Sequence, residues 1–358
     1  MRTCSLCLIL CAGLAVGAST PTAPALTYST YLRDNFRPAA MATDSSGNLY
    51  LAGNTTVDPA ASQTTVLVIK LNPQANQFLY LRYLGGAVSD AASAIAVDTA
   101  GNAYIAGGTQ SPDFPVTAGG HLGTPPTTGL ARSFVTKLDP SGNVVFSDLL
   151  GGSAASGADA VAVTPAGQVI VSGTIQSAGF PTTPGTDSVS NSVNHPYLLE
   201  LDATGTKLIF SAAGIGGNAI ALDSAGNIYV AGSTTLPDYP TTPGVYQTTF
   251  PVSQSCTVSC QTPPQGFNQY VTKVDATGSK LIYSTSLSGA SYRLNGGLAV
   301  DSAGNAYVTG VAGPGYPYTV TPSSIPALPG PGGPANPSAL PFLSKLDATG
   351  QTRRSRES

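Results

Sequence analysis

A turn signature of the form Asp-x-x-Gly-Asn, followed at once by a strand-like run with an aromatic residue, recurs five times along the 358-residue chain. A threonine replaces the aspartate in the third copy. The copies begin at Asp44, Asp98, Thr164, Asp223 and Asp301, and each has a glycine nine residues later. Regular internal repetition at a period of this size is typical of repeat architectures. The sequence therefore predicts one array of small units rather than two unrelated domains.

Each copy reads as a β-hairpin. In the second repeat, an Ala-Ile-Ala-Val run leads into Asp98, and an Ala-Tyr-Ile-Ala run leads to Gly107. A glycine in the turn supplies a positive φ, and an aspartate at its start caps backbone amides. We therefore interpret the recurrent turn residues as structural. They are Asp44, Asp98, Asp223, Asp301, Gly47, Gly101, Gly167, Gly226 and Gly304.

A second hairpin follows each first one, so every unit has four strands. The second turns begin at Asn72, Asp139, Asp202, Asp275 and Asp347. The spacing from a second turn to the next first turn is nearly constant at 21 to 26 residues, whereas the segment joining the two hairpins varies from 18 to 42 residues. All large insertions therefore fall in the connection between the second and third strands.

Four antiparallel strands per unit at this period are the signature of a β-propeller. The first strand of each unit is apolar on both faces and built from small residues, which suits an innermost strand wedged between blades. A sandwich with one solvated face would show alternation instead. We predict an all-β propeller of five four-stranded antiparallel blades over residues 19–350, with an unstructured tail at residues 351–358.

The two ends of the chain suggest how the ring closes. The segment Tyr28-Ser-Thr-Tyr-Leu32 resembles a fourth strand, and the chain stops just past a third strand that ends at Leu346. Pairing of residues 27–32 with residues 343–346 would complete the last blade and remove exposed strand edges. The alternative is a shortened reading frame whose larger parent has more blades.

The first 18 residues have the form of a secretory signal peptide. A positive charge at Arg2 precedes an apolar run from Leu6 to Val16, and small residues lead to a cleavage site after Ala18. This run is too short to span a bilayer stably, and no later segment is apolar enough. We therefore expect a secreted or cell-surface protein with no membrane span after removal of the signal.

Removal of the signal leaves Cys256 and Cys260 as the only cysteines. An even pair outside the cytosol favours a disulfide, which here would pin one loop. Free thiols and a metal pair are the alternatives, although two sulfurs fall short of the four ligands that zinc usually takes.

Composition and motifs argue against several functions. A net charge of −3, with 9% charged residues, offers no basic face for nucleic acid. Each turn supplies one carboxylate, whereas calcium takes six to eight oxygens, so we expect no metal. No phosphate loop, nucleophile elbow or His-x-x-His pattern is present, so we expect no cofactor and no catalytic residues. A carboxylate pair for glycoside hydrolysis would have to draw on Asp113, Asp187 or Asp238.

The long connections hold the candidates for a ligand-binding face. An aromatic residue before proline recurs at a nearly fixed distance after the closing glycine, where it either stacks on a ligand or anchors its loop, and we favour the anchor. Both histidines of the chain lie in these connections as well. The candidates are Asp113, Phe114, Phe180, Asp238, Tyr239, Tyr316, His121 and His195.

The second repeat carries the fullest version of the pattern. It reads Ala-Val-Asp98-Thr-Ala-Gly-Asn-Ala-Tyr-Ile-Ala-Gly, then Pro112-Asp-Phe-Pro115, then Phe134-Val-Thr-Lys-Leu-Asp139, then Leu150-Gly-Gly152. This text resembles the bacterial SBBP repeat, named for a seven-bladed propeller, over essentially the whole mature chain. The resemblance implies an exported or cell-surface bacterial module of something larger, without family catalytic residues. The chain departs from the pattern in its third repeat and in having five units.

Three functions are compatible with such a chain. We favour a binding or interaction module for a surface glycan or protein, because loops on a rigid scaffold often carry function. A structural spacer within a larger surface protein is the second hypothesis. An enzyme such as a lyase or hydrolase is the least favoured, because no acid/base constellation is visible.

Overall fold

In the computed structural model, every regular element within the described ranges is a β-strand. The structure describes residues 29, 31–32, 35–58, 63–117, 130–152, 155–176, 180–183, 195–234, 239–249, 268–287, 297–312 and 340–351. All of these strands belong to one compact unit, Leu32–Ser358. The predicted all-β class is confirmed.

The strands form five antiparallel sheets, one for each repeat, which we call blades 1 to 5. Blade 1 contains β1 (Phe36–Thr43), β2 (Leu49–Asp58), β3 (Gln63–Leu71) and β4 (Phe78–Leu84). Blade 2 contains β5 (Asp90–Val97), β6 (Ala103–Thr109), β7 (Arg132–Leu138) and β8 (Val144–Leu150). Blade 3 contains β9 (Ser156–Val163), β10 (Val169–Ile175), β11 (His195–Leu201) and β12 (Leu208–Ala213).

The last two blades follow the same plan. Blade 4 contains β13 (Ala219–Leu222), β14 (Ile228–Thr234), β15 (Asn268–Val274) and β16 (Leu281–Ser286). Blade 5 contains β17 (Leu298–Val300), β18 (Ala306–Ala312) and β19 (Leu340–Leu346). The predicted pairing of residues 27–32 with residues 343–346 involves Thr27, Tyr28 and Thr30, which lie outside the described residues. So do the predicted signal peptide and residues 352–358.

The apolar core lies between blades. Four of its clusters each join residues of two consecutive blades. The first strands β1, β5, β9, β13 and β17 adjoin one another in succession, which places them innermost. Each blade therefore has a front face toward the next blade and a rear face toward the preceding one. The predicted propeller of five repeats is confirmed, with three described strands in the last blade.

Antiparallel pairing places the two kinds of turn at one edge of each blade, the turn edge, and the connections from second to third strands at the other, the connection edge. In all five first turns, the glycine has a φ of 79° to 83° and its amide donates to the carbonyl three residues earlier at 2.9 to 3.0 Å. Only glycine adopts this backbone without strain. The turn signature is therefore explained by backbone geometry.

The glycine nine residues after the turn start does not end its strand. In blade 2 the strand continues past Gly107 to Thr109. A bulge in the first strand between Ala92 and Ala94 turns the Ala91 carbonyl toward this glycine, and a Cβ there would collide with that oxygen. Blades 1 and 3 have the same contact at Gly53 and Gly173. In these three blades the spacing thus marks a close approach of two strands, whereas a Cβ at Gly232 of blade 4 would first meet the Tyr270 side chain.

Replacing Gly107 with alanine should lower the free energy of unfolding by about 2 kcal/mol or more, because the methyl group must displace backbone atoms. Urea unfolding followed by circular dichroism measures the loss. The neighbouring Gly108→Ala is the matched control, since a Cβ at Gly108 meets only the Arg132 carbonyl oxygen, at 3.9 Å. Equal losses in both variants would contradict the close-approach explanation.

Candidate functional site

At the turn edge, each first-turn aspartate collects hydrogen-bond donors. Asp44 Oδ1 accepts from the backbone amides of Ser46 and Asn48 at 3.0 and 2.9 Å, and Oδ2 accepts from Asn48 Nδ2 at 2.8 Å and the Tyr50 hydroxyl at 3.0 Å. The corresponding bonds are made by Asp98, Asp223 and Asp301. These carboxylates cap turns, and their lone pairs are engaged by N–H and O–H donors.

Hydrogen bonding also sets the charge of these aspartates. Burial acts to raise the pKa of Asp44, but the bonds from Asn48, Tyr50 and Ser46 outweigh it and the pKa is lowered. The side chain and amide of Asn305 lower the pKa of Asp301 to about 2. A lowered carboxyl pKa stabilises the fold above the ordinary value of 3.8, and that contribution is lost as the pH falls toward 2. The carboxylates of these turn aspartates are therefore ionised at neutral pH.

The second-strand tyrosine also joins neighbouring blades. The Tyr50 hydroxyl lies 3.0 Å from the carbonyl oxygen of Gly101, in the first turn of blade 2, while it also faces Asp44. Tyr229 makes the same pair of contacts, with Asp223 at 3.1 Å and with the Gly304 carbonyl of blade 5 at 3.0 Å. One hydroxyl proton is shared between two acceptors, so the first turn of blade 1 is tied to that of blade 2, and the first turn of blade 4 to that of blade 5.

A lysine of the third strand lies above each of these rings. Nζ of Lys70 is 4.8 Å from the Tyr50 ring centroid, within the range of a cation–π contact. The same Nζ donates to the Pro140 carbonyl in the second turn of blade 2 at 3.0 Å, and Lys137 donates to the Ala203 carbonyl of blade 3 at 3.4 Å. In blade 1, tyrosine and lysine together therefore tie the blade to both turns of the next one.

The second turn of a blade packs on the fourth-strand ring of the preceding blade. A side chain at Gly142 would collide with the Tyr80 ring. The same relation holds for Gly205 and Phe146, Gly278 and Phe210, and Gly350 and Tyr283. Blade 1 has Ala75 at this position, with a φ of 51°. The alanine is found where no described blade precedes the turn.

Repeat three replaces every member of the polar set. The other four repeats have Asp, Asn, Tyr and Lys at the positions where repeat three has Thr164, Gln168, Ile170 and Glu200. The Thr164 hydroxyl oxygen still accepts from the Gln168 amide at 3.1 Å. Ile170 is buried in the apolar cluster shared with blade 4. Glu200 is 2% exposed, and burial raises its pKa to about 7.

At the connection edge, the recurrent aromatic residues are buried. The Phe114 ring lies 4.7 Å from that of Phe134, and the Phe180 ring lies 4.5 Å from that of Tyr197, measured between centroids. Tyr239 stacks on Tyr270 at 3.8 Å and its hydroxyl lies 3.0 Å from Thr272 Oγ1. All three rings are nearly inaccessible. This burial supports the anchor interpretation and removes these rings from the surface that a ligand would meet.

A threonine three residues after each ring docks the connection on the fourth strand. The Thr117 amide donates to the Ser147 carbonyl at 2.9 Å, and the Ser147 amide donates to Thr117 Oγ1 at 3.1 Å. Thr183 with Ser211, and Thr242 with Ser284, repeat both bonds. Sequence reasoning missed this contact, although the aromatic-Pro-x-Thr spacing, also seen at Tyr316-Pro-Tyr-Thr319, is a readable signal. The docked segment covers an edge that would otherwise stay open.

Two aspartates fix the link between blades 1 and 2 at the connection edge. Asp113 is exposed, and its Oδ1 accepts from the Ala87 amide at 2.8 Å. Asp90 is buried, and its Oδ2 accepts from the Ser111 hydroxyl at 3.0 Å and the Gly86 amide at 2.9 Å. Burial raises the pKa of Asp90 despite these bonds. Both carboxylates hold the connecting loop in place.

The other predicted residues are placed as follows. The prediction that His195 lies in a connection is wrong, because His195 is the first residue of β11, where it is buried on the connection-edge side of blade 3. His121, Asp187, Asp238, Tyr316, Cys256 and Cys260 lie outside the described residues. Across the ranges that are described, no group of three or more His, Cys, Asp or Glu side chains is placed to hold a metal ion. Over the same ranges, no helix has the length and apolar character needed to cross a membrane.

The repeated blades and their shared contacts define a β-propeller repeat protein. Two stretches of the chain, residues 79–115 and 206–237, match the family model of SBBP, described as a beta-propeller repeat. The resemblance of the repeats to SBBP is confirmed. No curated protein matches the chain.

Several solved structures are similar at low identity. The acylaminoacyl peptidase of Pyrococcus horikoshii is 9% identical with a TM-score of 0.36, over 77% of this chain and 36% of that chain. An ACO/RPE65 chimera is 10% identical with a TM-score of 0.38, over 78% and 56%. A mutant of the Synechocystis apocarotenoid oxygenase is 9% identical with a TM-score of 0.34, over 73% and 52%. The chain spans less than two thirds of each, and likeness at this level carries no argument about function.

Substituting Tyr50 with phenylalanine should lower the free energy of unfolding by about 1–2 kcal/mol, because the buried Gly101 carbonyl loses its donor. Tyr307→Phe is the matched control. Its hydroxyl donates to Asp301 at 3.0 Å, and the ring is partly exposed on the front face of the last blade. Thermal or urea unfolding should show the smaller loss for Tyr307→Phe. A larger loss at Tyr307 would contradict the proposed blade-to-blade role of the hydroxyl.

Glu200 should make stability depend on pH in an unusual direction. Because the folded pKa of about 7 lies above the ordinary value of 4.5, the unfolded chain loses its proton first, and stability falls as the pH rises between these values. Glu200→Gln removes this dependence and should be more stable than the parent by on the order of 2–3 kcal/mol above pH 7. Urea midpoints measured from pH 4 to pH 8 test this. The two proteins should agree near pH 4, and a constant difference at every pH would exclude titration of Glu200 as the cause.

Proposed function

We propose that this chain is an exported β-propeller scaffold whose connection edge binds a surface glycan or a protein. The observation that carries the proposal is the contrast between the two edges of the blades. At the turn edge, spacing is constant and the aspartates are saturated with hydrogen bonds. At the connection edge, segments of very different length are held on the blades by buried rings. Variable segments on a rigid frame are where binding residues usually lie.

The anchoring of the connections supports this assignment. In three blades a buried ring fixes the start of the connection, and a threonine three residues later fixes the next few residues on the fourth strand. The rings are Phe114, Phe180 and Tyr239, and the threonines are Thr117, Thr183 and Thr242. The rest of each segment, which differs most between repeats, follows these anchors. Surface residues such as Asp113 and Val116 lie beside them. A ligand would be recognised by the residues after the anchors rather than by the anchor rings.

Export is supported by the charge, apolar run and small residues of the first 18 positions. A role without catalysis is supported by the engagement of Asp90 and Asp113 with loop amides and hydroxyls, which fits a framework better than acid/base chemistry. A net charge of −3 favours neither nucleic acid nor an anionic surface as partner.

A structural spacer in a larger surface assembly is the second candidate. The observation that favours it is the exposure of Leu343 on the front face of blade 5, at a position that is buried between blades elsewhere. A spacer would use its end faces and have no ligand at the connection edge. The two candidates therefore differ in which surface a partner occupies.

Binding should be lost when a connection is shortened and kept when the turn edge is altered. The mature protein is screened on a glycan array and against cell-surface proteins, and a hit is measured by titration calorimetry. Deletion of residues 250–267 is expected to weaken binding by about tenfold or more, which is about 1.4 kcal/mol. Ala225→Lys and Ser302→Lys, at exposed turn-edge positions, are the controls and should bind as the parent does.

Two results would overturn the proposal. Loss of binding in the turn-edge controls, with binding kept in the deletion variant, would move the site to the opposite edge. Absence of any ligand on the array and among surface proteins would favour the spacer. Intact mass spectrometry of protein expressed from Met1 tests export, because the exported chain should begin at Ser19, and retention of residues 1–18 would contradict it.

A further inference from the structure

The front face of blade 5 has the residues of an interface, but none of the described blades lies against it. Leu343 pairs with Thr309 and is 68% exposed. The equivalent residues of the other blades are all fully buried between blades, namely Val68, Val135, Leu198 and Val271. Thr309 is likewise exposed where the other blades bury Ala or Ser. A blade that covered this face would remove a substantial apolar side chain from water.

The polar half of the interface is also present on this face. The Tyr307 hydroxyl donates to Asp301, and Lys345 lies 4.7 Å from the Tyr307 ring centroid and 3.6 Å from Asp301 Oδ2. The lysine side chain is 52% exposed. In blade 1, by contrast, the same tyrosine and lysine reach carbonyl oxygens of the next blade's two turns. Within the described part of the chain, Tyr307 and Lys345 therefore have no counterpart of the carbonyl contacts that Tyr50 and Lys70 make.

The rear face of blade 1 is the complementary surface. Met41 is 65% exposed, whereas Ile95 at the same register in blade 2 is nearly buried. Leu49 and Leu51 are partly exposed, whereas their equivalents in the other blades are buried. These exposed residues lie on the first and second strands, whereas Leu67 and Ile69 on the third strand are buried in a cluster against which Leu32 packs. Between interior blades, the first strand is the element that meets the front face of the preceding blade.

Blade 1 also offers the matching acceptors. Its first turn has Gly47 where blade 2 has Gly101, and its second turn has Pro73 where blade 2 has Pro140. Those two residues of blade 2 supply the carbonyls that bind Tyr50 and Lys70. Ala75 would collide with a fourth-strand ring from a preceding blade. The described part of blade 5 presents three strands, so its contact with blade 1 does not require such a ring.

We propose that the front face of blade 5 binds the rear face of blade 1 of a second copy of this chain. Leu343 and Met41 are both largely exposed within one chain, so these two side chains do not pack against each other in the structure. In the complex, Leu343 packs against Met41, Tyr307 donates to the Gly47 carbonyl, and Lys345 donates to the Pro73 carbonyl. Because the two faces differ, the contact is heterologous and leaves one free face at each end of a dimer. This self-association goes beyond the proposed ligand binding and does not depend on it.

Sedimentation equilibrium of the mature protein over a wide concentration range tests the proposal. The parent chain should show a concentration-dependent rise in mass. Leu343→Asp and Met41→Glu should each raise the dissociation constant by about tenfold or more, since each places a charge in the contact. Both side chains are largely exposed, so the unfolding midpoint should stay that of the parent. Val145→Asp, at an exposed position of β8, is the control and should associate normally.

Mixing the two variants separates this contact from any symmetric one. Leu343→Asp keeps an intact rear face on blade 1, and Met41→Glu keeps an intact front face on blade 5. The mixture should therefore form a one-to-one heterodimer that grows no further. A parent chain that is monomeric at every concentration would overturn the proposal, whether its faces close on each other or bind a different protein. Failure of the mixture to form heterodimers, while the parent associates, would also overturn it.

Discussion

The hydroxyl of the second-strand tyrosine ties the first turns of neighbouring blades together at two boundaries, from blade 1 to blade 2 and from blade 4 to blade 5. It binds the aspartate of its own turn and a carbonyl of the next turn, as Tyr50 does with Asp44 and Gly101. The carboxylate stays ionised, so the shared hydrogen bond is charge-assisted and stronger than a neutral one. Within the described ranges, no β-sheet contains strands from two blades. The turn edge thus carries constant contacts between blades, such as those of Tyr50 and Tyr229, and the connection edge is left to vary.

Repeat three shows that this contact has an apolar substitute. Where the tyrosine becomes Ile170, the blade 3 to blade 4 boundary is filled by an apolar cluster that includes Leu198, Phe210 and Val274. The lysine becomes Glu200 in the same change, because an ammonium group there would have neither the ring nor the turn carboxylate to stabilise it. A buried carboxyl with a raised pKa is less costly when protonated. The four substitutions are therefore one coordinated exchange of a polar interface for an apolar one.

The sequence predicted the number of repeats, the antiparallel hairpins and the turns, because these depend on local backbone chemistry at positions such as Gly47 and Asp44. It did not predict why a glycine follows nine residues later, since the collision at Gly107 comes from a bulge in another strand. Nor did it predict the docking of Thr117 on Ser147, which are 30 residues apart. Contacts between blades couple residues that are distant in sequence, and their partners become visible only once the blades are placed. The aromatic rings before proline illustrate this, because an exposed ring that stacks on a ligand and a buried ring that anchors a loop have the same sequence pattern.

The end faces follow from the same physics as the interior. In an array, each unit is stabilised by its own sheet and by its interfaces with neighbours, and a repeat that faces water usually has a polar outer surface. The front face of blade 5 lacks that adaptation, since it keeps the leucine, tyrosine and lysine of an interior interface. Blade 1 differs at Ala75, where a ring from a preceding fourth strand would collide, but it retains apolar residues on its inner strands. Exposed residues of this kind, such as Leu343 and Met41, leave apolar surface in water, which supports the proposed contact of these faces with another blade.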